Sequence, residues 1–474
     1  MQAEDQSDVI ALLADPATHG GGEVEHAETH ISHAFLVGER VYKLKKAVQL
    51  PYLDFSTRAA RQSYCEREVA INSRTAPELY IGVIPVTREA DGAVMLDGHG
   101  EAVDWVVAMR RFDQATLFDR MARRDALSEG LMEQTAEMIA RFHGEAEETP
   151  DFGGAGAIAD TIANNDTVFA GIDPAIIPRD RSEALTAAQN RALEGVRDLL
   201  ERRRHGGRVR RCHGDLHLRN ICLIEDRPAL FDAIEFDENL ACIDVLYDLA
   251  FLLMDLDEHD LPVLAATAFN RYLQITDDLE GLAALPLFMS LRAAIRGHIA
   301  GMSEKAEEAG TYMERAERYL EPEPPRLVAV GGLSGSGKSR AARSLAPWVG
   351  RPPGALVLRS DVLRKRLWGV APTDTLPAEA YTPEHTRRTY DALYDGARRG
   401  LAAGWTVVTD AVFARPDERQ TVEAIAAEAG VPFDGLWLEA PADVMAERAG
   451  TRTGNACDAG TDPSRCWTTA CLLG

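Results

Sequence analysis

The chain has 474 residues, with 51 lysines and arginines against 75 aspartates and glutamates, a formal net charge of −24. That exceeds one small domain at roughly 100–200 residues each, and 46% hydrophobic with 27% charged residues is a globular composition that excludes extensive disorder. No run approaches the roughly 18 apolar residues of a membrane span, no basic leader opens the chain, and the acidic balance disfavours a phosphate-backbone partner. A cytoplasmic protein with neither membrane nor nucleic-acid partners is expected. Seven cysteines without CxxC spacing fit neither a disulfide framework nor a zinc site. Cys65, Cys212, Cys222 and Cys242 sit in apolar or strand-like contexts and are expected as buried small hydrophobes.

In chain order, residues 34–46 and 103–109 are β-rich, with Gly38-Glu39-Arg40 as a hairpin turn. The first stretch ends in Val41-Tyr42-Lys43-Leu44-Lys45-Lys46, the place for a strand lysine that contacts nucleotide phosphates, by analogy with the Val-Ala-Ile-Lys strand of protein kinases. Lys43 and Lys45 project to one strand face. Lys43 is the first choice, and its expected partner is a helical glutamate, Glu66 or Glu68. The competing reading is a solvated strand edge. No Gly-x-Gly-x-x-Gly precedes it. Glu28-Thr29-His30-Ile31-Ser32-His33 stands there instead, so phosphate cover falls to Thr29, Ser32 or backbone amides. Residues 114–204 read as mostly helical, interrupted near 153–156. A short strand follows over 209–212, another over 229–231 ends on Asp232, and the rest to 320 is helical. The expectation is a small β-rich lobe followed by a large helical one.

His213-Gly214-Asp215-Leu216-His217-Leu218-Arg219-Asn220 sets an Asn five residues after an Asp, the spacing of the protein-kinase catalytic loop. A carboxylate there takes the proton of an attacking hydroxyl, and an amide oxygen one short loop later reaches a magnesium ion. Asp232, twelve residues beyond Asn220, suits the carboxylate that bridges magnesium to the transferred phosphate. Phe231-Asp232-Ala233-Ile234-Glu235-Phe236-Asp237 offers three acids, and Glu235 is the runner-up. A surface turn with capping Asp and His is the bland alternative. The Asn offset and the strand-turn-strand ending in Asp favour catalysis.

With Asp244-Val245-Leu246-Tyr247-Asp248-Leu249-Ala250, these segments resemble the aminoglycoside phosphotransferase family of kinase-like folds. The resemblance covers most of residues 25–320. It implies a protein-kinase-like bilobal fold, with ATP- and magnesium-dependent phosphorylation of a small-molecule hydroxyl. It also implies that residues 109–112 form a hinge whose backbone meets adenine.

Glu321-Pro322-Glu323-Pro324-Pro325 cannot continue a helix. It divides the chain into a domain over 1–320, a linker over 321–325 and a second domain over 326–474. A helix over 303–320 precedes the linker, and a buried strand over 327–330 follows it. That strand runs into Gly332-Leu333-Ser334-Gly335-Ser336-Gly337-Lys338-Ser339, which fits the Walker A pattern. The backbone of Gly332, Ser334, Gly335, Ser336 and Gly337 would face phosphates, Lys338 would supply charge, and Ser339 would hold magnesium. A flexible glycine-serine linker fails against the flanking strand and the Lys-Ser pair.

Further strands are expected over 356–361, ending in Asp361 before Arg364, over 406–410, ending in Asp410, and over 436–438. Asp410 occupies the Walker B position, to bind magnesium through water or orient the acceptor. A helix over 442–449 carries Arg448, with Arg452 four residues on. They are candidate lid arginines, against a solvated helix face. The expected fold is a P-loop NTPase with a parallel sheet flanked by helices.

This half resembles the small P-loop kinases, which implies that Asp361 and Arg364 face the acceptor. The tandem resembles the bacterial bifunctional aminoglycoside phosphotransferase/ATP-binding proteins. The competing function is a sensor or ATPase that binds ATP without small-molecule transfer, favoured by the missing glycine-rich loop. After 458 the pattern collapses into a tail holding Cys466 and Cys471, as expected of a truncated or frame-shifted end.

Overall fold

The computed structural model describes residues 4–50, 53–371 and 374–450. The chain forms two compact units. One joins Met1–Ile158 to Glu201–Asp255, and the other joins Ala159–Leu200 to the chain from Leu256 onward.

The first unit is built on a six-stranded antiparallel sheet in the order Val24–Glu28, Ser32–Val37, Arg40–Lys45, Glu101–Arg110, Tyr80–Arg88, Val94–Leu96. Val37 pairs with Arg40 across a two-residue turn in which Gly38 takes φ 53°, a conformation glycine adopts without a Cβ clash. Tyr42 and Leu44 alternate inward and close a core with Leu13, Phe35, Val86 and Val106. The helix Arg58–Asn72 opens on Thr57, whose hydroxyl accepts the Ala60 N–H. Its buried positions include Arg61, Cys65, Glu68 and Asn72, a helical stripe that turns Glu68 inward. Two short antiparallel pairs follow, Ile221–Ile224 with Arg227–Leu230 and Val209–Arg211 with Cys242–Asp244. The strand expected over 229–231 therefore ends before Phe231, and Asp232 stands beyond it with φ 61°.

The second unit contains the helices Pro262–Thr276, Leu285–Met302 and Ala306–Arg318. The helix expected over 303–320 thus begins only at Ala306, because the preceding helix ends at Met302. Beyond these lies a four-stranded parallel sheet in the order Leu356–Arg359, Val407–Asp410, Leu327–Gly332, Phe433–Leu438. Val328, Val330, Ala342, Val357 and Val408 form its core on the face covered by the helix Lys338–Leu345. The strand expected over 356–361 stops at Arg359. Ser360 opens a helix to Leu367, so Asp361 sits in a first turn, where a carboxylate faces the positive end of the helix dipole. Arg452 and the tail with Cys466 and Cys471 lie outside the described residues.

Cys65, Cys212, Cys222 and Cys242 are buried and unpaired. Among the described residues no helix is long and apolar enough to cross a membrane.

Candidate functional site

In the first unit the acids and lysines converge on Glu68. Lys43 Nζ lies 2.8 Å from Glu68 Oε1 and 2.6 Å from Asp232 Oδ1, and Lys45 Nζ lies 2.6 Å from Glu68 Oε2. Lys45 is also ion-paired with Glu235. Both partners of that second pair are buried, whereas 48% of the Asp232 side chain is exposed. Burial pushes the Glu68 carboxyl up, but the two ammonium groups outweigh it and hold it at about 2. For Glu235, burial and the Glu68 charge prevail over Lys45 and raise it. Glu66 is not part of this network and accepts from Gln62 at 3.0 Å.

The loops that carry the remaining residues are fixed by backbone bonds. Asp232 N–H donates to Tyr80 Oη at 3.2 Å, and Ala233 N–H donates to Asn72 Oδ1 at 2.8 Å. The Asp248 carboxylate accepts the N–H groups of His213 and Gly214, at 3.1 and 2.9 Å. Gly214 has φ 84°, and a Cβ there would stand 2.8 Å from Leu240 O, so only glycine fits. Burial pulls His213 below the usual histidine range. Its Nε2 then donates to Phe231 O at 3.0 Å while Nδ1 accepts the Asp215 N–H at 3.3 Å. Asp215 Oδ2 accepts Asn220 Nδ2 at 2.9 Å and lies 3.3 Å from His217 Nε2. With its amide nitrogen on Asp215, Asn220 keeps its carbonyl oxygen as a ligand atom. Upstream, Thr29 Oγ1 accepts the Ser32 N–H at 3.0 Å, which closes the turn that stands in place of a glycine-rich loop.

In the second unit, Gly332, Gly335 and Gly337 have φ of 139°, 86° and 100°. A Cβ at Gly332 would come within 2.4 Å of Leu438 O, and one at Gly335 within 2.4 Å of Met445 O. The loop between strand and helix is thus a cradle that side chains would fill. Lys338 Nζ folds across it to Leu333 O at 3.1 Å. Ser339 follows in the first turn of the same helix. Ser336 Oγ is buried with no hydrogen-bond partner among the described residues, a polar atom that a bound phosphate oxygen would satisfy. Burial and then the Asp410 carboxylate push Asp361 up, while Arg359, Lys338 and Arg364 pull the other way. Arg359 Nε lies 3.3 Å from Asp410 Oδ2. Arg364 donates to Ala380 O at 2.7 Å and lies over the Tyr381 ring. Arg448 is exposed on the helix Ala442–Gly450.

The model of a family described as "Phosphotransferase enzyme family" matches residues 55–285, and that of an "AAA domain" matches residues 327–466. The chain joins a kinase-like phosphotransferase domain to a P-loop domain of the AAA type. Uncharacterized proteins of Mycobacterium tuberculosis and Mycobacterium bovis are 28% identical over 449 residues, covering 92% of this chain and 88% of theirs. A choline/ethanolamine kinase family protein from Mesorhizobium loti is 14% identical, over 67% of this chain and 95% of its own, with a TM-score of 0.42. An aminoglycoside 2'-phosphotransferase in complex with GDP is 14% identical, over 67% of this chain and 99% of its own, with a TM-score of 0.39.

In the phosphotransferase domain, Lys43, Glu68 and Asp232 are brought into direct contact, and Asp215 is joined to Asn220. In the P-loop domain, Lys338 lies with Arg359, Arg364 and Asp410 among the charges that act on Asp361. The residues that sequence reasoning passed over are supports. Asn72 lies four residues after Glu68 on the same helix, a spacing that could have flagged it. Asp248 stood in a segment noted only for its resemblance. Tyr80 meets Asp232 across 152 residues, with no local signal.

Proposed function

We propose that the chain is an ATP- and magnesium-dependent phosphotransferase acting on a small-molecule hydroxyl, with a second ATP site in its P-loop domain. The two activities divide at the linker over 321–325, between 1–320 and 326–474, as in the bifunctional aminoglycoside phosphotransferase/ATP-binding proteins. The observation that carries the first site is the contact of Lys43 with both Glu68 and Asp232. It supports a lysine held in place for nucleotide phosphates beside a half-exposed carboxylate. Asn220 and Asp232 would hold magnesium, which supplies charge neutralisation at the transferred phosphoryl group. Lys43 orients the phosphates, with Glu68 fixing its ammonium. Asp215, its Oδ2 held by Asn220, orients the acceptor hydroxyl and takes its proton. The exposure of Asp232 and the pairing of Glu235 with Lys45 favour Asp232 as the metal ligand.

In the P-loop domain, backbone amides from Gly332 to Gly337 cradle phosphates, Lys338 supplies charge, and Ser339 and Asp410 serve the metal. Asp361 faces the acceptor, and Arg448 and Arg452 act from the lid. Most of the rate gain at either site comes from positioning and charge rather than proton removal. The protein works in the cytoplasm, without membrane or nucleic-acid partners.

The test is ATP consumption by the purified full chain over a panel of sugars, amino alcohols and aminoglycosides. Acceptor-stimulated turnover that Asp215→Ala removes is the expected result. ATP binding without acceptor-stimulated turnover would make the chain a nucleotide sensor instead.

A further inference from the structure

The strand Leu356–Arg359 lies at one edge of the parallel sheet, paired on its inner side with Val407–Asp410. Leu356 N–H points inward to Thr406 O at 2.9 Å. In an extended strand the next amide points the other way, so Val357 N–H and Ala355 C=O face the open edge. An unpaired edge carries unsatisfied backbone groups that must be covered. Here Ala346 O accepts the Ala355 N–H at 2.8 Å, and a single side chain covers the two groups that remain. Asn270, on the helix Pro262–Thr276, accepts the Val357 N–H on Oδ1 at 2.6 Å and donates from Nδ2 to Ala355 O at 3.1 Å. A side-chain amide thus replaces the peptide group of an absent neighbouring strand. Asn270 is 8% exposed, and asparagine is a poor residue for a helix interior; its place is explained by this tertiary contact.

The same helix and the turn after it hold the neighbouring backbone. Phe269 meets Trp405 in a tilted contact with ring centroids 5.4 Å apart, and Trp405 Nε1–H donates to Gly354 O at 2.9 Å. Asp277 accepts from Arg366 at 2.8 Å and from Arg399 at 3.0 Å. The segment 355–367 is therefore gripped near both ends, at the strand by Asn270 and at the end of the following helix by Asp277. That segment carries Arg359, Asp361 and Arg364, while the phosphate loop hangs from a different, central strand.

We propose that Asn270 is a positioning residue of the P-loop site: it closes the sheet edge and sets the place of Arg359, Asp361 and Arg364 against the phosphate loop. The inference rests on the P-loop domain being a working ATP site. It makes a residue inside the phosphotransferase-matched segment part of the P-loop domain's active architecture.

The test compares the full-length chain with Asn270→Leu, which keeps the volume and removes the amide. Two readouts are taken: hydrogen exchange of the segments 355–367 and 327–337, and the ATP turnover that Lys338→Ala abolishes. Exchange should rise about tenfold in 355–367 and stay within about twofold in 327–337, as loss of edge hydrogen bonds opens one segment locally. The Lys338-dependent kcat should fall about tenfold with KM for ATP within about threefold, because the phosphate loop itself is untouched.

A folded Asn270→Leu with unchanged exchange in 355–367, or with unchanged kcat, overturns the proposal. So does an equal rise in both segments, which would mark general loosening. If Asn270→Leu fails to fold, Asn270→Ser is read by the same two measurements. Absence of any Lys338-dependent turnover in the unaltered chain removes the P-loop reading instead, and the exchange contrast alone then decides whether Asn270 fixes the segment.

Discussion

The two candidate nucleotide sites solve one problem with different materials. In the phosphotransferase domain, charge is gathered by side chains from distant parts of the chain: Lys43 and Lys45 from a strand, Glu68 from a helix, Asp232 and Glu235 from a loop. In the P-loop domain the site is one contiguous stretch, Gly332 to Ser339, shaped by Gly332, Gly335 and Gly337 in conformations that glycine alone adopts easily. The first site depends on packing to hold like charges close together, and removing one partner leaves another buried and uncompensated. The second depends on backbone shape. Substitutions should therefore fail in different ways at the two sites.

The sharpest contrast comes from the residues nearest the chemistry. Asp215→Ala should lower acceptor-stimulated phosphotransfer by about 10²–10⁴-fold, the range for losing a positioned general base. The fold should survive, because 39% of the Asp215 side chain is exposed. Circular dichroism with initial rates checks both halves of that statement, and wild-type turnover would remove Asp215 from the site. Lys338→Ala should abolish only the second activity. Loss of both activities together would break the comparison, since one site would then be carrying all turnover.

The difference in material also explains what the sequence disclosed. The P-loop was legible because its function is local: strand, glycines and Lys-Ser are neighbours in the chain. The pair Asp215 and Asn220 was legible for the same reason, being separated by one short loop. Glu68 could be narrowed only to two candidates, and the helix decides between them by turning Glu68 inward and leaving Glu66 with Gln62. The Lys45–Glu235 pair was not foreseen, since nothing local tells a buried second ion pair from a solvated strand edge. The expected strand to Asp361 failed because a helix starts directly after Arg359 and takes Ser360 and Asp361 into its first turn, where a carboxylate complements the positive end of the helix dipole.

The buried network makes a prediction on stability. Glu68→Gln removes one partner from both lysines, and breaking a buried ion pair costs about 3–5 kcal/mol. Its pH dependence follows from the depressed carboxyl. The folded protein holds Glu68 at about 2, against an ordinary value of 4.5. As pH falls the unfolded chain takes up that proton first. The contribution is whole above about pH 4.5 and is lost as pH drops towards 2. Denaturant midpoints for wild type should therefore decline through that window, and those of Glu68→Gln should start lower and decline less. Parallel curves would show that Glu68 is not the charged centre of the network.

The smallest expected effects separate two glycines of the phosphate loop. Both Gly335 and Gly337 have positive φ, but their surroundings differ. A Cβ at Gly335 would lie 2.4 Å from Met445 O and 2.8 Å from Met445 Cα, whereas at Gly337 nothing stands within 4 Å. Gly337→Ala should therefore carry only the left-handed backbone penalty, about 1–2 kcal/mol, with nucleotide affinity reduced modestly. Gly335→Ala carries the same penalty and must also displace backbone of the helix Ala442–Gly450, so its loss of affinity should be larger. Calorimetric titration of Mg-ATP, in a background where Asp215→Ala and Lys43→Met silence the first site, ranks the two directly. Equal losses would mean that backbone conformation alone governs the loop. A larger loss at Gly335 would mean that the close approach of that helix is part of how the phosphates are held.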